Sequence, residues 1–154
     1  MTEAEFDAQI NSNKEAITGY QQDIRKLEEQ INELNNMKRQ MGGLQDILHD
    51  TANQAESKIS GMTNLWGAVA SVLNGKFFSN LLTAVKGAEY SAADSGLGTS
   101  LEIIQDKIDE LRKLIDQKQT AIQSCSSKIG SIQNEKEDYL RQKAQEEAAS
   151  EERA

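Results

Sequence analysis

Residues 101–140 read LEIIQDKIDELRKLIDQKQTAIQSCSSKIGSIQNEKEDYL, and their spacing decides the fold class. Stepping alternately three and four positions from Leu101 lands on Ile104, Ile108, Leu111, Ile115, Lys118, Ile122, Cys125, Ile129, Ile132, Lys136 and Tyr139. Two lysines are the only charged residues in the series. Such spacing draws one narrow apolar stripe along a helix, the seam of a coiled coil. An upstream series falls on Ile10, Asn13, Ile17, Tyr20, Ile24, Leu27, Ile31 and Leu34, then slips and continues on Met37, Met41, Leu44 and Leu48. Two such arms around a short apolar centre predict an all-α fold. Its form is an elongated antiparallel helical hairpin, or coiled coil, with a short helical cap at the tip.

Composition supports that form. The chain has 154 residues, of which 37% are hydrophobic and 27% charged, a balance that fits a soluble chain better than a membrane protein. Only 5% are aromatic, so few large side chains are available to fill a thick core. There is no proline to forbid long helices. Roughly 50 residues per arm, at about 1.5 Å rise each, predict a rod of roughly 75 Å.

The arms have readable ends. Thr2 followed by Glu5 is a capping-box pattern that opens a first long helix over 3–60. Gly42 and Gly43 lie within it, each costing about 1 kcal/mol relative to alanine, and mark a place to bend. Ser60 and Gly61 form the first strong break. Short apolar helices are expected over 62–86, with Leu65, Trp66, Val69, Val72 and Leu73 on one stripe and Phe77, Phe78, Leu81, Leu82 and Val85 on the next. The glycine-rich and small-residue run GAEYSAADSGLG at 87–98 reads as loop. Thr99 with Glu102 forms a second capping box, opening a second long helix over 99–145. A tail over 146–154 has helix formers and no seam, and is expected to fray, so the whole of 1–154 reads as a single elongated helical domain.

Charge and motif content narrow the function. A net charge of -8 argues against nucleic-acid binding, which depends on a basic surplus to displace counterions from phosphates. Lys38 with Arg39 and Arg112 with Lys113 have acidic neighbours at helical spacing, the pattern of a solvated face. The single cysteine, Cys125, excludes an internal disulfide framework and reads as a buried seam thiol, with an intermolecular disulfide as the minor alternative.

The opening MTEAEFDAQ lacks the basic start and apolar run of a secretory signal. The expectation is a chain that is cytoplasmic before any export, or exported without a cleaved signal. The most apolar window, Leu65 to Val85, holds Asn74, Lys76 and Asn80 and is too polar for a membrane span.

The only histidine, His49, stands beside Asp46 and Asp50 and reads as an exposed or capping residue, since no further imidazole or thiolate accompanies it. Phosphate loops, dinucleotide glycine patterns and nucleophile elbows are missing, so the reading is non-enzymatic, with no metal and no cofactor.

Lys118 and Lys136 within the seam must reach a carboxylate or the rim. Either their stems run outward to solvent, or they mark where a third helix, from a partner, supplies an acid. Asn13 can fix register in the same way. Trp66 with Gly67 is either an anchor for the cap or part of a recognition surface, since indole offers large area at low entropic cost.

With Trp66-Gly67 set between two heptad arms, the chain resembles the WXG superfamily of small helical hairpins handled by type VII secretion systems. It is more specifically similar to the longer LXG-associated helical proteins of Gram-positive bacteria, including the YwqH-like family. The superfamily turn places one residue between tryptophan and glycine, whereas here the glycine follows directly. Its export signal is a tyrosine followed four residues later by an acid; Tyr139 meets Lys143 at that spacing, and only Tyr90 with Asp94 fits.

The resemblance implies a dedicated partner that binds the helical amino-terminal domain of a secreted LXG toxin, while another subunit carries the signal. A second small helical partner, and a homodimer of the lone chain, stay open. The residues expected to bind are Ile17, Ile24, Leu27, Ile31, Leu34, Ile104, Ile108, Leu111, Ile115, Lys118 and Ile122 on the seams, with Trp66, Gly67, Phe77 and Phe78 at the tip. Two other readings compete: a membrane-active, pore-forming helical protein that inserts Leu65 to Val85, and a self-assembling structural coiled coil.

Overall fold

The first turn shows why a helix begins where it does. The Thr2 backbone N–H donates to Glu5 Oε2 at 2.6 Å, and the Glu5 N–H donates to Thr2 Oγ1 at 3.3 Å, which is the reciprocal capping box expected of this pair. The Thr2 backbone N–H, followed by the Thr2 side-chain hydroxyl, holds the Glu5 carboxyl below its ordinary range. Glu3 and Glu5 also place negative charge where the helix dipole favours it.

From there helix α1 runs Glu3–Leu65 and a second helix, α2, runs Ala88–Glu152. The computed structural model describes residues 1–65, 80 and 83–153, with only the backbone described at 62–65. The expected tip residues Trp66, Gly67, Phe77 and Phe78, and most of the expected cap, lie outside the described residues.

Three expected boundaries are corrected. Helix α1 does not stop at Ser60 and Gly61 but passes through them to Leu65, and it is also continuous through Gly42 and Gly43. The stretch 87–98 is not a loop: helix α2 opens at Ala88, and Thr99 with Glu102 lies inside it rather than capping it. The tail expected to fray from 146 is helical to Glu152. The reason for the second correction is visible in burial. Extending the three-four spacing upstream of Leu101 lands on Leu97, Asp94 and Tyr90, each half-buried, so seam packing continues through a run of small residues whose composition suggested a turn.

Likewise, the seam of α1 does not slip after Leu34. It keeps its period past Lys38, itself exposed, through Met41, Gln45, Leu48, Ala52, Ala55 and Ile59, which are half-buried or, at Ala52 and Ile59, buried. Met37 and Leu44, which the apolar pattern favoured, are 50% and 55% exposed. A lysine and a glutamine occupy two seam positions here, so a search for apolar residues steps off the true stripe.

The helices pack as two compact units. In the first, Met1–Ile31 pairs with Glu110–Ala154; Phe6 stacks at 5.8 Å against Tyr139, and Asp7 and Asp23 meet Lys136 and Lys118 in turn. Positions rising along α1 meet positions falling along α2, so the pair is antiparallel. Its core is Phe6, Ile10, Leu111 and Ile115. In the second unit, Asn32–Asp109, Lys38 meets Gln105 and His49 meets Asp94, again antiparallel, around Ala52, Ile59, Ile104 and Ile108. Ile108 is fully enclosed. Burying an isoleucine side chain contributes roughly 1.5–3 kcal/mol, so a few such residues dominate the stability of each pair.

Candidate interaction surface

Every seam position from Leu101 to Tyr139 is buried or half-buried, so the seam residues singled out from the sequence lie where the two helices meet. Ile104, Ile108, Leu111 and Ile115 are buried; Ile17, Ile24, Leu27, Ile31, Leu34, Lys118 and Ile122 are half-buried. Two helices cover each seam from one side only, which leaves the middle of the first unit part-exposed over Ile17–Ile31 on α1 and over Ile122–Ile132 on α2. Cys125 stands in that stretch as a half-buried free thiol.

The two seam lysines find their acids within the chain. Lys118 Nζ reaches Asp23 Oδ2 at 3.0 Å and lies 5.7 Å from the centre of the Tyr20 ring. Lys136 Nζ donates to Asp7 Oδ1 at 2.8 Å and lies 3.3 Å from Glu3 Oε1. These carboxylates come from α1 of the same chain. The bond to Asp7, followed by Glu3, raises the Lys136 ammonium above its ordinary value. Asn13 serves its own helix, donating to the Gln9 carbonyl at 2.9 Å.

In the second unit a polar layer stands where the sequence suggested a loop and a solitary histidine. Asp94 Oδ1 accepts from Gln45 Nε2 at 3.0 Å and lies 2.6 Å from His49 Nε2, while the Tyr90 ring sits 6.2 Å from the imidazole. The Gln45 and His49 contacts, in that order, hold the Asp94 carboxyl below its ordinary range. A carboxylate only accepts, so His49 Nε2 donates in this contact. The signal that could have found this layer was the seam period itself, which brings Gln45 and Asp94 to seam positions.

Writing the heptad as abcdefg with seam positions a and d, the contacts sort the two flanks of the pair. Lys38 (a) meets Gln105 (e), and His49 (e) meets Asp94 (a), so the e flanks of the two helices lie on one side. Gln105 also donates to Asp109 at 3.0 Å. That flank of the second unit is laced with polar bonds. On the opposite flank, positions c and g, stand Met37, Leu44, Ile47 and Ile103, at 50%, 55%, 63% and 62% exposure. Scattered exposed apolar residues are ordinary, but four gathered on one flank form a patch.

Among the described residues no three potential metal ligands converge. The open groove between the helices of the first unit is lined mainly by polar residues, among them Ser12, Asn13, Ser124, Ser127, Lys128 and Glu135. Among the described residues no helix is long and apolar enough to cross a membrane. Comparison with known proteins finds no matching family model, no matching curated protein and no matching solved structure.

Proposed function

We propose that the chain is a non-enzymatic helical partner that binds the helical amino-terminal domain of a secreted LXG toxin and supports its targeting to type VII secretion. The observation that carries this reading is the half-covered seam of the first unit. Ile17, Ile24, Leu27 and Ile31 on α1, with Ile122, Ile129 and Ile132 on α2, are shielded by one neighbouring helix and leave the rest of their surface to solvent. Further helices laid along that groove would complete a multi-helix bundle in the usual way, with apolar side chains interdigitating across the added interface. The acidic balance of the chain keeps it from non-specific contact with nucleic acid and leaves helix packing as its means of recognition.

Co-purification tests the proposal. The chain is expected to hold the toxin's amino-terminal domain in solution as a stable complex, and Ile24→Ser with Ile122→Ser is expected to weaken that complex about tenfold or more while helicity is retained. Ile108 and Ile115 are buried in their own units, so aspartate there reports folding and serves as the control. A toxin domain that is equally soluble and equally exported without this chain sinks the proposal.

A further inference from the structure

The apolar flank of the second unit has an order that its burial alone does not explain. Along α1 the c and g positions run Glu33, Met37, Gln40, Leu44, then Ile47, Thr51, Gln54, Lys58, all exposed. Along α2 they run Glu89, Ala93, Gly96, then Ser100, Ile103, Lys107, all exposed but Ser100, which is half-buried. Each stripe is uncharged inside and carries an acid at one end and a base at the other. Each is also its own mirror in heptad position: about the point midway between Leu44 and Ile47, every c position exchanges with a g position, and Glu33 exchanges with Lys58. About the midpoint of the α2 stripe, Glu89 exchanges with Lys107 in the same way. The Lys38–Gln105 and His49–Asp94 contacts bring these two midpoints to the same level of the helix pair.

We propose that this flank is a self-docking surface, on which a second copy of the chain lies antiparallel about a two-fold axis. An isologous interface requires a patch that complements itself, and this one does so twice over. Leu44 meets the second copy's Ile47 at the axis, and Ile103 meets the second copy's Ala93. At both ends of the α1 stripe an acid meets a base, Glu33 the second copy's Lys58. The short side chains of Gly96 and Ser100 at the centre of the α2 stripe let the second pair of helices approach closely. The inference rests on residues of the second unit and does not depend on toxin binding by the first.

The test is sedimentation equilibrium on the purified full-length protein, with circular dichroism on each variant. A dimer is expected, and Leu44→Glu with Ile47→Glu is expected to weaken it at least about a hundredfold at unchanged helicity, because carboxylates would be buried unpaired. The charged rim gives a reading that does not depend on the apolar centre. Glu33→Lys alone and Lys58→Glu alone should each weaken the dimer about tenfold, and the doubly reversed chain should recover it. Mixing the two single variants should yield the mixed dimer in preference to either homodimer, since only there do residues 33 and 58 regain opposite charges. A protein that stays monomeric at about 100 µM overturns the proposal, since that bounds association to weaker than about 5 kcal/mol. So does a dimer indifferent to Leu44 and Ile47, or one whose charge reversals show no reciprocal rescue. Protection of the patch only when a different protein is added also overturns it.

Discussion

At the scale of single residues, the polar layer at Asp94 ties stability to pH. Its carboxyl is held below the ordinary value in the folded chain by Gln45 and His49. A carboxyl depressed by folding contributes stability above its unfolded value, near 3.9, and that contribution is lost as pH falls through the lower folded value. Asp94→Asn is therefore expected to reduce stability at neutral pH and to flatten the acid limb of the curve. Thermal melting between about pH 2 and pH 7 checks this, and parallel curves for the two proteins would contradict it. In the sequence Asp94 stands out only as the acid four residues after Tyr90. Its structural role was hidden because a carboxylate at a seam position breaks the apolar pattern that identifies a seam.

At the scale of the element, α2 holds its helix through glycines that should disfavour it. Gly96 and Gly98 lie in the stretch that composition marked as loop, and an added Cβ at either would meet nothing within 4 Å; Gly43 in α1 is equally open. Alanine at a helical glycine with free space removes backbone entropy from the unfolded chain, and is worth about 0.5–1 kcal/mol per site. Gly43→Ala and Gly98→Ala are each expected to raise the unfolding midpoint, additively within about 0.5 kcal/mol because they share no partner. Were 87–98 a turn, Gly98→Ala would destabilise instead, so urea unfolding of this one variant separates the two descriptions. The period was legible over 101–139, where all but two residues of the seam are apolar or aromatic. It failed at Lys38, Gln45 and Asp94, where tertiary pairing outweighs residue type, and at the glycines, whose local cost is offset by packing along the seam.

At the scale of the whole molecule, cross-helix pairs set which levels of α1 and α2 face one another. Lys118 with Asp23 and Lys136 with Asp7 pair positions far apart in sequence. Lys118→Asp should place like charges together and cost about 1 kcal/mol, and adding Asp23→Lys should restore most of it. A double-mutant cycle by urea unfolding measures the recovery, and its absence would mean that these residues do not hold the register. Lys136 carries an alkaline counterpart. Its ammonium is raised in the folded chain, so its contribution is present below the unfolded lysine value and disappears as pH climbs through the folded one.

What the sequence displayed at this scale was the pairing of two seams; what it concealed was their division into two packed units, since no break in the heptad marks the boundary after Ile31. The tip residues Trp66, Gly67, Phe77 and Phe78 lie outside the described residues.

The unslipped heptad has a consequence for how such a chain can change length. Because both helices keep the same period and run in opposite directions, an insertion or deletion within a packed pair preserves the seam only when it adds or removes whole repeats on both helices at facing levels. Loss of 14–20 together with 122–128 would leave every remaining seam residue against the neighbour class it now has, whereas loss of one residue would rotate all that follow by about 100° and turn the stripe to solvent. Natural variants of this protein are thus expected to differ in paired steps of seven, a discrete ladder of lengths.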